Sequence, residues 1–146
     1  MREPDNATAT SNSGSAQAYS IVFDGGSRGN PGHGYGSYQI EGPEGILAHD
    51  QLHYDGDRVT NNQAEYLTLI RALERLRRHL EGRVGSTSVS VRGDSSLVIN
   101  QVCGRWKVKH PDLQPLHRQA VDLLKGFAST DVAWHRREKS VKVLGH

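Results

Sequence analysis

Apolar positions in the first third of the chain follow the short period that is typical of β-strands. They predict three strands, at residues 19–23, 36–41 and 46–54. The first strand runs directly into Asp24, and the glycine-rich stretch 27–36 beyond it predicts a loop. Residues 42–45, with the sequence Gly-Pro-Glu-Gly, predict a hairpin turn between the second and third strands. This part of the chain therefore predicts an antiparallel meander.

Beyond residue 60 the apolar period becomes helical. A long helix is predicted by the recurrence of Leu69, Ile70, Leu73, Leu76 and Leu80. Thr60 or Asn61 can cap its start, and Gly82 can end it. The later elements are a strand at 88–92, a short helix through Val102 capped by Ser95 or Ser96, a helix opening at Pro111, and a strand with Val132 and Trp134. The order β-β-β-α-β-α-α-β predicts an α/β fold in which helices pack on a mixed sheet.

Length and composition fit one folded domain with a polar extension. The chain has 146 residues, of which 35% are hydrophobic. Residues 1–17 contain no run of large apolar side chains, so we predict a disordered N-terminal tail there and a domain at 18–146. The sequence holds neither an apolar signal segment nor the roughly 20 apolar residues of a membrane span. Its single cysteine, Cys103, excludes an intramolecular disulfide, and a cytoplasmic monomer is the expectation.

Charge is distributed unevenly, although the formal net charge is only +2. The segment 105–142 is rich in cations, namely Arg105, Lys107, Lys109, Arg118, Lys125, Arg136, Arg137, Lys139 and Lys142, and it contains few acids. A basic segment favours a polyanionic partner such as nucleic acid. A solvated basic surface explains the same pattern equally well.

Three carboxylates stand at positions that favour a shared site. Asp24 and Asp94 each end a predicted strand, and Glu65 lies in the first turn of the long helix, on the face that packs on the sheet. A buried carboxylate is costly unless it is paired or binds a cation. If the two strands are neighbours, the three acids converge at one place and offer the oxygen ligands that Mg²⁺ prefers.

Each acid also has an ordinary explanation. An Asp before glycines is common in turns, as at Asp24. Asp94 precedes two serines and can belong to a helix cap, and Glu65 in a first helical turn suits the helix dipole. Spacing alone therefore leaves both interpretations open.

Three segments resemble the hallmark segments of type 1 ribonucleases H, in the family's order and at its spacings. They are residues 21–32 (IVFDGGSRGNPG), residues 60–66 (TNNQAEY) and residues 93–101 (GDSSLVINQ), the last followed by GRWKVK at 104–109. The similarity extends from about Tyr19 to about His135 and so covers nearly the whole predicted domain.

This resemblance implies a ribonuclease H-like fold with a five-stranded mixed sheet flanked by helices. It implies an endonuclease that hydrolyses the RNA strand of RNA/DNA hybrids with two Mg²⁺ or Mn²⁺ ions, leaving a 5′-phosphate and a 3′-hydroxyl. By the same resemblance, Asp24, Glu65 and Asp94 bind metal and carry catalysis. The implied substrate-binding residues are Gly25, Gly26, Ser27, Asn30, Thr60, Asn61 and Asn62.

Trp106, Lys107 and Lys109 are further candidates, which can hold the DNA strand through ring packing and phosphate contacts. Trp106 can equally be a core residue. The sequence lacks the long basic insertion that some family members carry as a substrate handle, because residues 106–111 pass almost directly into the next predicted helix.

The C-terminal segment departs from the family pattern, which has a fourth carboxylate in a short motif after the last strand. Residues 136–146 contain no Asp, and Leu144 takes that position in an ungapped alignment. We expect the family's C-terminal helix to be short or absent here. Glu138, His146 or the terminal carboxylate can substitute, and His135 is a candidate auxiliary group or an ordinary strand-end histidine. The missing acid favours an alternative function, a hybrid-binding module with weak or no catalysis.

Overall fold

The strands and helices of the domain appear in the predicted order. The protein is described by a computed structural model that covers residues 17–145. Its strands are β1 (Gln17–Arg28), β2 (Gly32–Gly42), β3 (Gly45–Val59), β4 (Thr87–Gly93) and β5 (Ser129–Trp134). Its α-helices are α1 (Asn61–Leu80), α2 (Ser96–Val102), α3 (Gln114–Leu124) and α4 (Arg137–Leu144). The predicted tail lies outside the described residues, except for Gln17, which already belongs to β1.

The five strands form one mixed sheet in the order β3-β2-β1-β4-β5. β2 is antiparallel to both β1 and β3, whereas β4 is parallel to both β1 and β5. The predicted five-stranded mixed sheet is therefore confirmed. β1 lies at the centre of the sheet, so its residues are flanked by a strand on each side.

The predicted loop at residues 27–36 is wrong. β1 continues to Arg28 and β2 begins at Gly32, which leaves only residues 29–31 between them. Gly29 has a φ of 82° and makes the turn. The glycines at 32, 34 and 36 lie in extended β2, where a side chain would overlap Arg28, Val59 and Thr68 respectively. They permit close approach between strands and helix, which a composition-based prediction mistakes for a loop.

The helix boundaries also correct the sequence-based ones. Thr60 is the N-cap of α1 and forms a capping box with Gln63, while Ser95 caps α2. α1 ends at Leu80 and is followed by a 3₁₀ helix, Glu81–Ser86, so Gly82 does not end it. The helix predicted to open at Pro111 begins at Gln114 after a turn.

The core lies between the sheet and α1, which also packs against α3. Alternate residues of the central strands face it, including Ile21, Phe23, Ile40, Val89 and Val91. The buried face of α1 meets them with the leucines that predicted the helix, among them Leu69, Leu73 and Leu76. None of the helices within residues 17–145 has the length and apolar character that crossing a bilayer requires.

Candidate active site

Asp24 lies inside the central strand β1, four residues before its end, and is not the last residue of a strand as the sequence predicted. The backbone N–H of Gly25 donates to Asp24 Oδ1 at 2.9 Å and to Glu65 Oε1 at 3.0 Å. One amide therefore holds two carboxylates from different elements against each other. This contact fixes where the start of α1 meets the sheet.

Two glycines let α1 approach that closely. Gly25 and Gly36 pair across β1 and β2. A Cβ on Gly25 would lie 2.6 Å from the Ala64 carbonyl oxygen, and one on Gly36 would overlap Thr68 Oγ1. Glycine at these positions brings the first turn of α1 onto the backbone of the sheet, so Glu65 reaches Asp24.

Asp94 follows β4 directly, beside the central strand. The Trp134 indole Nε1 donates to the Asp94 carbonyl oxygen at 3.1 Å, and the next residue, Ser95, is the N-cap of α2. Sequence reasoning missed Trp134 as a site residue, since nothing in its strand pattern distinguishes it from a core residue. Its side chain is 51% exposed, and so an aromatic surface lies next to Asp94.

The three acids form one cluster, in which one oxygen from each lies within 4.8 Å of the others. Glu65 is buried, and no N–H or hydroxyl donor among residues 17–145 reaches its Oε2. Burial first, and then the negative charge of Asp24, raise the pKa of Glu65 well above its ordinary value. A buried carboxylate oxygen without a hydrogen-bond donor, in a cluster of three carboxylates, suits a hard divalent cation, which prefers oxygen ligands.

No fourth acid joins this cluster among the described residues. Glu138 is exposed on α4, and Leu144 is buried at the end of the same helix, which is short, with eight residues. His146 lies outside the described residues. His135 links the end of β5 to α4, because its ring Nε2 lies 2.7 Å from Ser140 Oγ. Its backbone N–H donates to the Gly93 carbonyl at the end of β4. Burial and the nearby cations Lys139 and Arg92 lower its pKa.

The predicted substrate residues beside the acids form a connected edge. Asn61 Oδ1 accepts from the Ser27 N–H at 2.9 Å, and the Asn61 N–H donates to Asn30 Oδ1 at 3.0 Å. The β1–β2 turn is thereby tied to the start of α1, next to the Thr60 cap. Asn62 is exposed beside them.

Trp106, Lys107 and Lys109 lie on the exposed segment between α2 and α3. Trp106 is 48% exposed, which decides against the core interpretation. Gln101 Nε2 donates to the Lys107 carbonyl at 3.3 Å, and the backbone of Trp106 donates to Asn100 O at 3.2 Å. Beside this segment is a cavity of about 630 Å³, whose lining includes Trp106, Lys107, Arg118 and Lys125. Arg118 and Lys125 are basic residues that the sequence had placed only in the general cationic segment.

The chain is similar to known proteins in sequence and in fold. Residues 45–143 match the family model described as "Reverse transcriptase-like". The chain is 41% identical over 121 residues to a bifunctional protein of Mycobacterium tuberculosis, covering 82% of this chain and 32% of that protein. It is 43% identical over 109 residues to a ribonuclease HI of Halobacterium salinarum, covering 72% of this chain and 50% of that protein. The chain thus spans between a third and a half of the length of these curated relatives.

Two solved structures share the fold. The N-terminal RNase H domain of the Mycobacterium tuberculosis protein, fused to maltose-binding protein, is 36% identical with a TM-score of 0.77, covering 87% of this chain and 88% of that one. LC11-RNase H1 in complex with an RNA/DNA hybrid is 31% identical with a TM-score of 0.76, covering 85% of this chain and 89% of that one.

Proposed function

This chain belongs to the type 1 ribonuclease H family, and from that premise we propose that it hydrolyses the RNA strand of RNA/DNA hybrids. The observation that carries the proposal is the cluster of Asp24, Glu65 and Asp94, with its oxygens within 4.8 Å and a buried Glu65 Oε2 that lacks a donor among the described residues. The relative crystallised with an RNA/DNA hybrid supports the choice of substrate.

Asp24, Glu65 and Asp94 are the residues that would hold Mg²⁺ or Mn²⁺, in a site for two ions. Divalent cations bound there would lower the pKa of the attacking water and stabilise the leaving oxygen, giving 5′-phosphate and 3′-hydroxyl ends. The chain's own contribution is placement. The Gly25 amide holds Asp24 and Glu65 together, and the Trp134 indole donates to the carbonyl oxygen of Asp94.

Recognition of the hybrid falls to two surfaces on either side of the acids. Ser27, Asn30 and Asn61, with Thr60 and Asn62, present amides and hydroxyls that suit the 2′-hydroxyls and the minor-groove edge by which a protein distinguishes RNA from DNA. By resemblance to the family, the backbone of Gly25 and Gly26 contacts the RNA strand. Exposed Trp106, with Lys107 and Lys109, supplies an aromatic face and cations for the DNA strand.

A second candidate function is hybrid binding with little or no cleavage. It is favoured by the buried Leu144, which takes the family's fourth carboxylate position without a gap, and by a cluster of only three acids among residues 17–145. With fewer protein ligands a second cation would be held more weakly, which predicts low activity or a preference for Mn²⁺.

The experiment compares end-labelled RNA/DNA hybrid, duplex DNA and single-stranded RNA, each with Mg²⁺ and separately with Mn²⁺. Cleavage confined to the RNA of the hybrid is expected, and Asp24→Asn and Asp94→Asn should each lower it by at least about 100-fold. Glu44→Gln, which changes an exposed acid in the turn between β2 and β3, is the control. Binding of hybrid without cleavage under either ion would favour the second candidate. Equal cleavage by the parent and both site variants would refute the proposed site.

A further inference from the structure

A groove lies on the sheet beside Asp24, next to the site described above. We call it the outer groove; its lining residues are Arg28, Tyr35, Gly36, Ser37, Gln51, Leu52 and His53, and its volume is about 310 Å³. Strand pairing sets its position, since Asp24 pairs with Ser37, which in turn pairs with Gln51. Paired residues share a face of the sheet, so the groove begins on the strand adjacent to the catalytic acid.

The outer groove carries one cation, Arg28, and a pair of neighbouring histidines. Arg28 is exposed at the end of β1 and pairs with His33, whose Nε2 lies 3.3 Å from His53 Nδ1 across β2 and β3. The guanidinium and the imidazole N–H groups donate to phosphate oxygens. No Asp or Glu belongs to its lining. Tyr35, which is 38% exposed, adds an aromatic surface.

The position of the groove in the sheet indicates which strand of a hybrid would lie nearest to it. In the order β3-β2-β1-β4-β5, the groove lies over the end of β1 and over β2 and β3, on one side of Asp24. The Trp106 segment follows α2, which packs on β5 at the other side. Under the proposed function, the DNA strand takes the Trp106 side and the cleaved strand passes Asp24. The strand nearest the groove is then the RNA itself.

We propose that the outer groove binds the RNA strand beyond the cleaved phosphodiester, with Arg28 and the His33–His53 pair contacting its phosphates. This inference rests on the proposed function, because it needs the RNA at Asp24. From β1 to β3 the groove spans two strand spacings, or roughly 10 Å. At roughly 3.4 Å per nucleotide of one strand, it accommodates about three nucleotides.

A groove on one side of Asp24 can contact the RNA on only one side of the cut. Single-turnover cleavage of end-labelled hybrids therefore gives a directional signal. The parent should cut poorly within about three nucleotides of one RNA end, and normally near the other. The double variant Arg28→Gln/His53→Gln should lower cutting at internal positions about fivefold and leave terminal cuts at that one end unchanged, which removes the asymmetry.

Two controls match these changes in type. His49→Gln alters an exposed histidine four residues earlier on β3, and Arg78→Gln alters an exposed arginine near the end of α1. Both should cut like the parent, and all variants are compared by circular dichroism and Tm. An equal loss at internal and terminal positions, or a loss no larger than in the controls, would overturn the proposal.

A binding measurement separates this inference from the proposed activity. Hybrid affinity is followed by fluorescence anisotropy in EDTA between 50 and 200 mM salt, conditions under which cleavage plays no part. The double variant should bind about tenfold more weakly, and its slope of log affinity against log salt should fall by about 1 through the loss of the Arg28 charge. That result without any cleavage by the parent would support the groove and refute the nuclease. Unchanged affinity and slope in a parent that cleaves hybrids would refute the groove alone.

Discussion

Replacing Glu65 by Gln should stabilise the metal-free protein while abolishing its activity. Two ionised carboxylates at 4.8 Å repel by roughly 3 kcal/mol at an effective dielectric constant of about 20. Neutralising Glu65 removes two of the three pairs in the cluster. The side-chain oxygen of the glutamine can still accept from the Gly25 N–H. Its amide nitrogen replaces Oε2, which receives no hydrogen bond from the described residues.

The gain in folding stability is smaller than the repulsion energy of the two removed pairs, because the folded protein already relieves repulsion by binding a proton. Burial raises the pKa of Glu65 well above its ordinary value, and we expect a gain of about 1 to 3 kcal/mol at pH 8. The pH dependence of this stability difference follows from the linkage between proton binding and folding. An acid whose pKa is higher in the folded than in the unfolded state costs stability as the pH rises from the unfolded value through the folded one. The advantage of Glu65→Gln should therefore vanish near pH 4 and grow towards pH 8.

Thermal unfolding in EDTA at pH 4, 6 and 8 measures this effect, with an expected rise in Tm of about 3 to 10 °C at pH 8. Glu44→Gln, in the exposed hairpin turn, is the matched control and should not shift Tm. Added Mg²⁺ should raise the Tm of the parent more than that of Glu65→Gln. A lower Tm for Glu65→Gln than for the parent in EDTA at pH 8 would show that the carboxylates do not repel one another as argued.

Two further substitutions test the packing around the site, and a third tests hybrid binding. Gly36→Ala should lower the free energy of unfolding by about 1 to 3 kcal/mol in urea titrations, because its Cβ would overlap Thr68 Oγ1, whereas Gly82→Ala meets open space and should be neutral. Tyr66→Phe should cost about 1 to 2 kcal/mol in the same assay, since it removes the buried 2.7 Å hydrogen bond to Gln101. Trp106→Ala should weaken hybrid binding by about 1 to 3 kcal/mol in anisotropy titrations with Tm unchanged; a fall in Tm without weaker binding would contradict its assigned role.

The periodicity of apolar residues predicted the architecture because the sheet and α1 each bury one face in the core. The alternation of Ile21 and Phe23 and the helical spacing of Leu69, Leu73 and Leu76 are direct records of which faces meet in the core. The family and the five-stranded mixed sheet were both predicted correctly. The spacing of Asp24, Glu65 and Asp94 predicted a cluster only on the condition that the two strands are neighbours, which the parallel pairing of β1 and β4 satisfies.

What sequence could not supply depends on contacts between distant segments. Glycine serves turns and close approach alike, so Gly34 and Gly36 predicted a loop where the chain is a strand packed under α1. Trp106 lies in a linker without a repeating apolar pattern, so the sequence does not indicate whether its side chain is exposed. Trp134 alternates like a core residue, but it belongs to an edge strand and extends over Asp94.

The parallel pairing of β1 with β4 also governs the order of events when the chain folds. The β1–β3 meander and α1 bring together only Asp24 and Glu65, whereas Asp94 arrives once the crossover through α1 has closed a long loop. Contacts of such long sequence separation form slowly. If the third carboxylate arrives after the rate-limiting barrier, divalent cations stabilise the native state alone. Magnesium would then slow unfolding and leave the folding limb of the chevron unchanged, so that cation binding at the three carboxylates would add kinetic stability to the folded protein.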